Sequence, residues 1–186
     1  MNYLFYTLLA LFTFLPLPRG STFDWAWLFM SMVVFAMAAI WLIWYQQGKV
    51  NITPAFRSAR YVMALLIVWL AWNLLQIVPL PIGLLDSIAP LSAELCRLAA
   101  PSVSFAPISI DVNATREQLI TGLSYVLIFA LVLLLVDSVK RLKVFVLWLV
   151  ILGVVQAVIA SLTLFGVQEI FYGSSSAQGT FANRNQ

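Results

Sequence analysis

Five long apolar stretches, parted by three short segments and one long loop, organise this chain. Windows of about 19 residues place them near Tyr3 to Pro18, Trp25 to Tyr45, Tyr61 to Val78, Leu119 to Val136 and Val144 to Gly166. None shows the alternation of a lipid-facing barrel strand, and an unpaired backbone amide in hydrocarbon costs several kcal/mol, so each is predicted to be a helix. The second has Trp25 and Trp27 at one end and Trp41, Trp44 and Tyr45 at the other, as expected of rings at two membrane interfaces. The first is short and broken at Pro16 and Pro18. A signal peptide is its rival reading, but no basic residue precedes the run and no small-x-small site follows it.

Composition agrees with the pattern. Of 186 residues, 63% are hydrophobic and 9% charged, where a soluble domain needs roughly a quarter charged to coat its surface. Mean hydropathy is +1.00. The expected fold is all-α: a polytopic bundle of five spans forming one transmembrane domain, 1–186, with a loop at 79–118 and a tail at 167–186.

Charge orients the bundle. Lys49, Arg57 and Arg60 follow the second span and Lys140, Arg141 and Lys143 follow the fourth, against Asp137 alone, for a net +5. Arg19, Arg97, Arg116 and Arg184 against Asp24, Asp86, Glu94, Asp111, Glu117 and Glu169 leave the other side at −2. The positive-inside rule puts the N-terminus in the cytoplasm and turns the loop and tail outward. The pI of about 9.2 is then a topological signal with possible contact to anionic lipid heads, and no nucleic-acid partner is implied. Cys96 is the only cysteine, which rules out an internal disulfide.

Several local features are informative. PLPIGLLD leaves the third span through two prolines, and LSAELCRLAA, bounded by Pro90 and Pro101, sets Leu91, Leu95 and Leu98 on one face of a short interfacial helix. TREQ reads as a capping box, Thr115 with Gln118, opening the fourth span. NIT at Asn51 and NAT at Asn113 match the glycosylation sequon and are read as non-functional. The spans hold no Asp, Glu, Lys, Arg or His, which disfavours a proton-driven pump. Asn73, Gln76 and Gln156 are expected to act as hydrogen-bonding glue between helices, with a headgroup cavity as the alternative, and Gly153, Ala157 and Ser161 as a close-packing face for another helix.

The tail ends on GTFANRNQ. Gly179 permits a tight turn, Thr180 carries a hydroxyl, Arg184 offers a planar fork suited to phosphate oxygens, and Asn183 and Asn185 offer donors and acceptors. A solvated tail would carry the same residues, so chemistry alone leaves both readings open.

GTFANRNQ resembles the GTF-x-NRN-H motif of the bacterial O-antigen ligase and O-antigen polymerase family. PLPRGSTFDWAW, LLQIVPLP, SIDVNATREQL and GVVQAVIASLTLFG look like the N-terminal half of that family, in the same order. The resemblance implies transfer of an oligosaccharide from undecaprenyl pyrophosphate to an acceptor glycan at the outer face of the inner membrane, without metal or cofactor. Its motif maps onto Gly179, Thr180, Phe181, Asn183, Arg184 and Asn185, with Gln186 where the family has His, and the chain has no His at all. The catalytic residues are therefore left unassigned, and the chain is expected to be the front portion of such an enzyme, inactive alone. The alternatives are a five-span scaffold or transport-accessory protein of envelope assembly, or half of a solute transporter, although no repeat or broken span centre is visible.

Overall fold

The computed structural model describes residues 2–16 and 24–164, leaving out the side chains of Asp24, Thr163 and Leu164. Among the described residues eight helices run in order: α1 (Asn2–Phe14), α2 (Asp24–Gln46), α3 (Pro54–Ser58), α4 (Arg60–Leu75), α5 (Ile82–Ile88), α6 (Pro90–Ala99), α7 (Val112–Leu135) and α8 (Val139–Leu164). Two short strands, β1 (Leu80–Pro81) and β2 (Phe105–Ala106), pair antiparallel, Leu80 opposite Ala106. Among the described residues the fold is all-α apart from this ladder. Three helices are long and apolar enough to cross a membrane, Trp25–Gln46, Val112–Leu135 and Val139–Leu162, which marks a membrane protein; Asn2–Phe14 and Arg60–Leu75 are shorter apolar helices.

The chain divides into two compact units. Unit 1 comprises 1–57 and 127–186, and unit 2 comprises 58–126, so α7 begins in unit 2 and ends in unit 1.

In unit 1 the shortest apolar segment is the most deeply packed. Leu4, Phe5, Leu8, Leu9 and Leu11 of α1 are buried against Met30, Val34 and Met37 of α2, Leu131, Leu134 and Leu135 of α7, and Phe145 of α8. A helix enclosed by neighbours can be short and still well held, because its packing comes from protein and not from lipid. Trp41 is 8% exposed within this core and stacked on Tyr45, ring centroids 5.4 Å apart. It lies on the same face of α2 as Val34 and Met37, one to two turns away.

Local chemistry sets the ends of the elements. Gly48, at φ 70°, stops α2: its N–H donates to the Tyr45 carbonyl at 3.0 Å and the Lys49 N–H to Trp44 at 2.9 Å, a Schellman motif. Thr53 then opens α3, its Oγ1 accepting from the Phe56 N–H at 3.2 Å with Pro54 in the first helical position.

The opening of α7 corrects the sequence reading. Asp111 is the cap, its Oδ1 accepting the Ala114 N–H at 2.9 Å, and Thr115 lies inside the helix with Oγ1 donating to the Asp111 carbonyl at 2.9 Å. A carboxylate one turn earlier reaches the free amides first and gains from the helix dipole, so TREQ is not the capping box. α8 likewise begins earlier than expected, and Lys140, Arg141 and Lys143 occupy its first turns.

Unit 2 holds α4, the α5–α6 hairpin and the first half of α7. Gly122 of α7 allows close approach: a Cβ there would lie 2.8 Å from the ring tip of Trp69 and 3.4 Å from Leu70 Cδ2 on α4. Asn73, expected to bond between helices, instead donates to the Trp69 carbonyl of its own helix at 2.8 Å. An amide four residues after a carbonyl on one helix can satisfy itself without a partner.

Candidate functional site

Gly179, Thr180, Asn183, Arg184 and Asn185 lie outside the described residues, as does Phe181. Among the described residues, polar and charged side chains gather at two places.

The first is one end of unit 1. Arg141 joins three elements there: Nη1 donates to the Leu135 carbonyl at the end of α7 at 3.0 Å, Nη2 donates to Asn2 Oδ1 at the start of α1 at 2.9 Å, and Asp137 stands 3.1 Å away. The guanidinium also lies 5.5 Å from the Phe5 ring centroid. It therefore supplies a partner for a terminal carbonyl that has no intrahelical donor. The charge of Arg141 was visible in sequence as a topological signal, but its fork was not.

Further bonds fix directions. Trp148 Nε1 donates to Thr13 Oγ1 at 2.9 Å and Phe12 meets Phe145 edge to face at 5.4 Å, so α1 and α8 run parallel from the Asn2–Arg141 contact. Phe14 packs against Trp25 and Phe29, which returns α2 antiparallel to α1. Thr53 Oγ1 donates to the Leu133 carbonyl at 2.6 Å, bringing the segment after α2 to the same end. The start of α1, Lys49, Arg57, Lys140, Arg141 and Lys143 thus share one end of unit 1, and Lys49, Arg57, Lys140 and Lys143 are exposed. The Thr53 hydroxyl of the first sequon is 7% exposed and engaged in this bond, and Thr115 of the second is bonded inside α7.

The second place is the hairpin of unit 2. Leu85, Ala93 and Ala106 form a small core, with Ile82, Cys96, Val103 and Ile108 packed around it. Arg97 and Asp86 form a two-pronged ion pair across the hairpin, one bond at 2.8 Å. Ser92 Oγ donates to the Ile108 carbonyl at 2.9 Å, and the Ser109 N–H donates to the Gln76 carbonyl at 3.0 Å. α5 was not legible in PLPIGLLD. Its seven residues are stabilised by α6 and the ladder, since an isolated helix of that length is marginal.

The stripe of Gly153, Ala157 and Ser161 faces no described neighbour: all three are exposed, nothing lies within 4 Å of a Cβ built on Gly153, and Ser161 Oγ donates to the Ala157 carbonyl at 2.8 Å. Among the described residues, no group of three or more Cys, Asp or Glu is placed to hold a metal ion. Comparison with protein-family models, with curated proteins and with solved structures finds no match to this chain.

Proposed function

We propose that this chain is the N-terminal portion of a membrane glycan ligase or polymerase of the bacterial inner membrane. It would take part in moving an oligosaccharide from undecaprenyl pyrophosphate to an acceptor glycan during surface-polysaccharide synthesis. The observation that carries the reading is GTFANRNQ at the end of a chain in which four further motif-like stretches occur in family order.

The geometry supports the sidedness this requires. With the N-terminus of α1 and the basic residues at one end of unit 1, that end would be cytoplasmic by the positive-inside rule. α8 runs away from it toward residues 165–186, so the tail and Arg184 would stand at the outer headgroups. All five apolar helices would cross, α1 and α4 within a locally thinned or protein-lined environment. α6 would lie at the interface of the outward loop. Arg184 would hold the pyrophosphate, with Gly179, Thr180, Asn183 and Asn185 shaping the turn, and stabilise charge growing on the leaving diphosphate. A group near neutral pKa would take the acceptor hydroxyl proton, and since the chain has no His that base would be a tuned carboxylate or lysine, or a group from another segment or partner.

A reporter active only outside the cytosol, fused after Gln186, should be active, and a cytosolic one silent. The opposite result removes the proposal. In an active assembly containing this chain, Arg184→Ala should cost several kcal/mol in transfer, about a hundredfold or more in rate, with Arg184→Lys recovering part. A second reading, a scaffold or transport-accessory protein, is favoured by the exposed Gly153, Ala157 and Ser161 stripe, which would then seat a partner's helix.

A further inference from the structure

We infer that the outer face of α6 is a lipid contact: Leu91, Leu95 and Leu98 insert at the membrane interface and hold the α5–α6 hairpin down on the bilayer through apolar contact, without help from charge. This rests on α4 and α7 being membrane-embedded, and not on glycan transfer.

α6 has two apolar faces. Ala93 faces the hairpin's core and is fully buried, so that side is already occupied by α5. At 3.6 residues per turn, Leu91, Leu95 and Leu98 stand about 140–160° around the axis from Ala93. They are 66%, 40% and 75% exposed. The hairpin adds Leu84 at 48% and Ile88 at 53% on α5, and Phe105 at 60% on β2. So much apolar surface on so small a module is a contact surface, not a solvated one.

Its position selects lipid as the occupant. The Ser109 N–H is bonded to the carbonyl of Gln76, the residue that caps the C-terminus of α4, from which the apolar run continues to Val78. The Ser92 hydroxyl donates to the Ile108 carbonyl, and Ser109 Oγ donates to the carbonyl of Asp111, the cap of α7. α6 is thus tied by side-chain and backbone bonds to the ends of two apolar helices, at the level where such helices leave hydrocarbon.

Its charge selects the mode. Residues 79–110 carry only Asp86, Glu94 and Arg97, and the first and last neutralise each other in the two-pronged pair. The remaining Glu94 gives anionic lipid nothing to attract. Interfacial helices that rely on electrostatics line their polar face with Lys and Arg, and this one does not.

The full chain, reconstituted in phosphatidylcholine vesicles, tests this with an environment-sensitive fluorophore on Leu91→Cys or Leu98→Cys, each in a Cys96→Ser background. Cys96→Ala serves if Ser loosens the hairpin's core. The expected result is blue-shifted emission, quenching by lipids brominated on the acyl chain and protection from aqueous iodide, unchanged by added phosphatidylglycerol or by salt. Quenching by iodide alone would mean the face is in water. Protection from both quenchers would mean that a second copy or another protein covers it, and a dependence on anionic lipid would mean that charge drives the contact. Each of those three results overturns the inference. None of them bears on which side of the membrane the tail occupies, so the glycan-transfer reading stands or falls separately.

Discussion

Arg141→Leu should loosen the end of unit 1 where α1, α7 and α8 meet. The wild-type fork donates to the Leu135 carbonyl at 3.0 Å and to Asn2 at 2.9 Å. Hydrogen bonds from a charged donor are each worth about 1.5 kcal/mol or more, and the Leu135 carbonyl would be left without its donor. The ion pair with Asp137, which is 34% exposed, adds only about 0.5 kcal/mol. The total is about 3.5 kcal/mol, with no further loss counted for packing because the leucine still covers Phe5. Arg141→Lys retains the charge that orients the protein but has one nitrogen for three acceptors, and should lose about 2 kcal/mol. Unfolding in mild detergent, followed by loss of helicity, measures both. A double-mutant cycle with Asn2→Ala should return a coupling of about 1 kcal/mol. If the lysine variant matches wild type and the coupling vanishes, Arg141 is only a topological charge and the joint described here is wrong.

Three other outcomes follow from the packing. Gly122→Leu should push Trp69 out of place and cost about 1–3 kcal/mol by overpacking, and adding Trp69→Ala should restore most of it; tryptophan fluorescence and thermal unfolding read the two steps. Asp111→Ala should cost about 1 kcal/mol and speed exchange of the Ala114 amide, whereas Gln118→Ala should do neither, which separates the observed cap from the capping box expected in TREQ. Leu8→Ala, fully buried on α1, should destabilise by about 2 kcal/mol through lost contacts, while Leu147→Ala, 59% exposed on α8, should be close to neutral in detergent.

The five apolar helices were legible because a long apolar run is a one-dimensional property of sequence. All five sequence-derived stretches correspond to helices, α1, α2, α4, α7 and α8, and the helix at LSAELCRLAA is α6. Helix boundaries were less legible, because Asp111 and Thr115 both carry oxygens able to cap and only the backbone path shows which one meets a free amide. The tail residues from Gly179 to Asn185 stand on sequence alone.

What the sequence determined by itself was the solvent of the chain, the rough extent of its helices and the asymmetry of its charge. Tertiary structure alone decided that α1 is a core element of unit 1, that Asn73 bonds within its own helix, that Trp41 packs inward, and that α5 exists. Each of these depends on which surfaces meet across distant parts of the chain, as when Asn2 meets Arg141. Residue spacing records a helix's own faces but not the neighbour that each face finds.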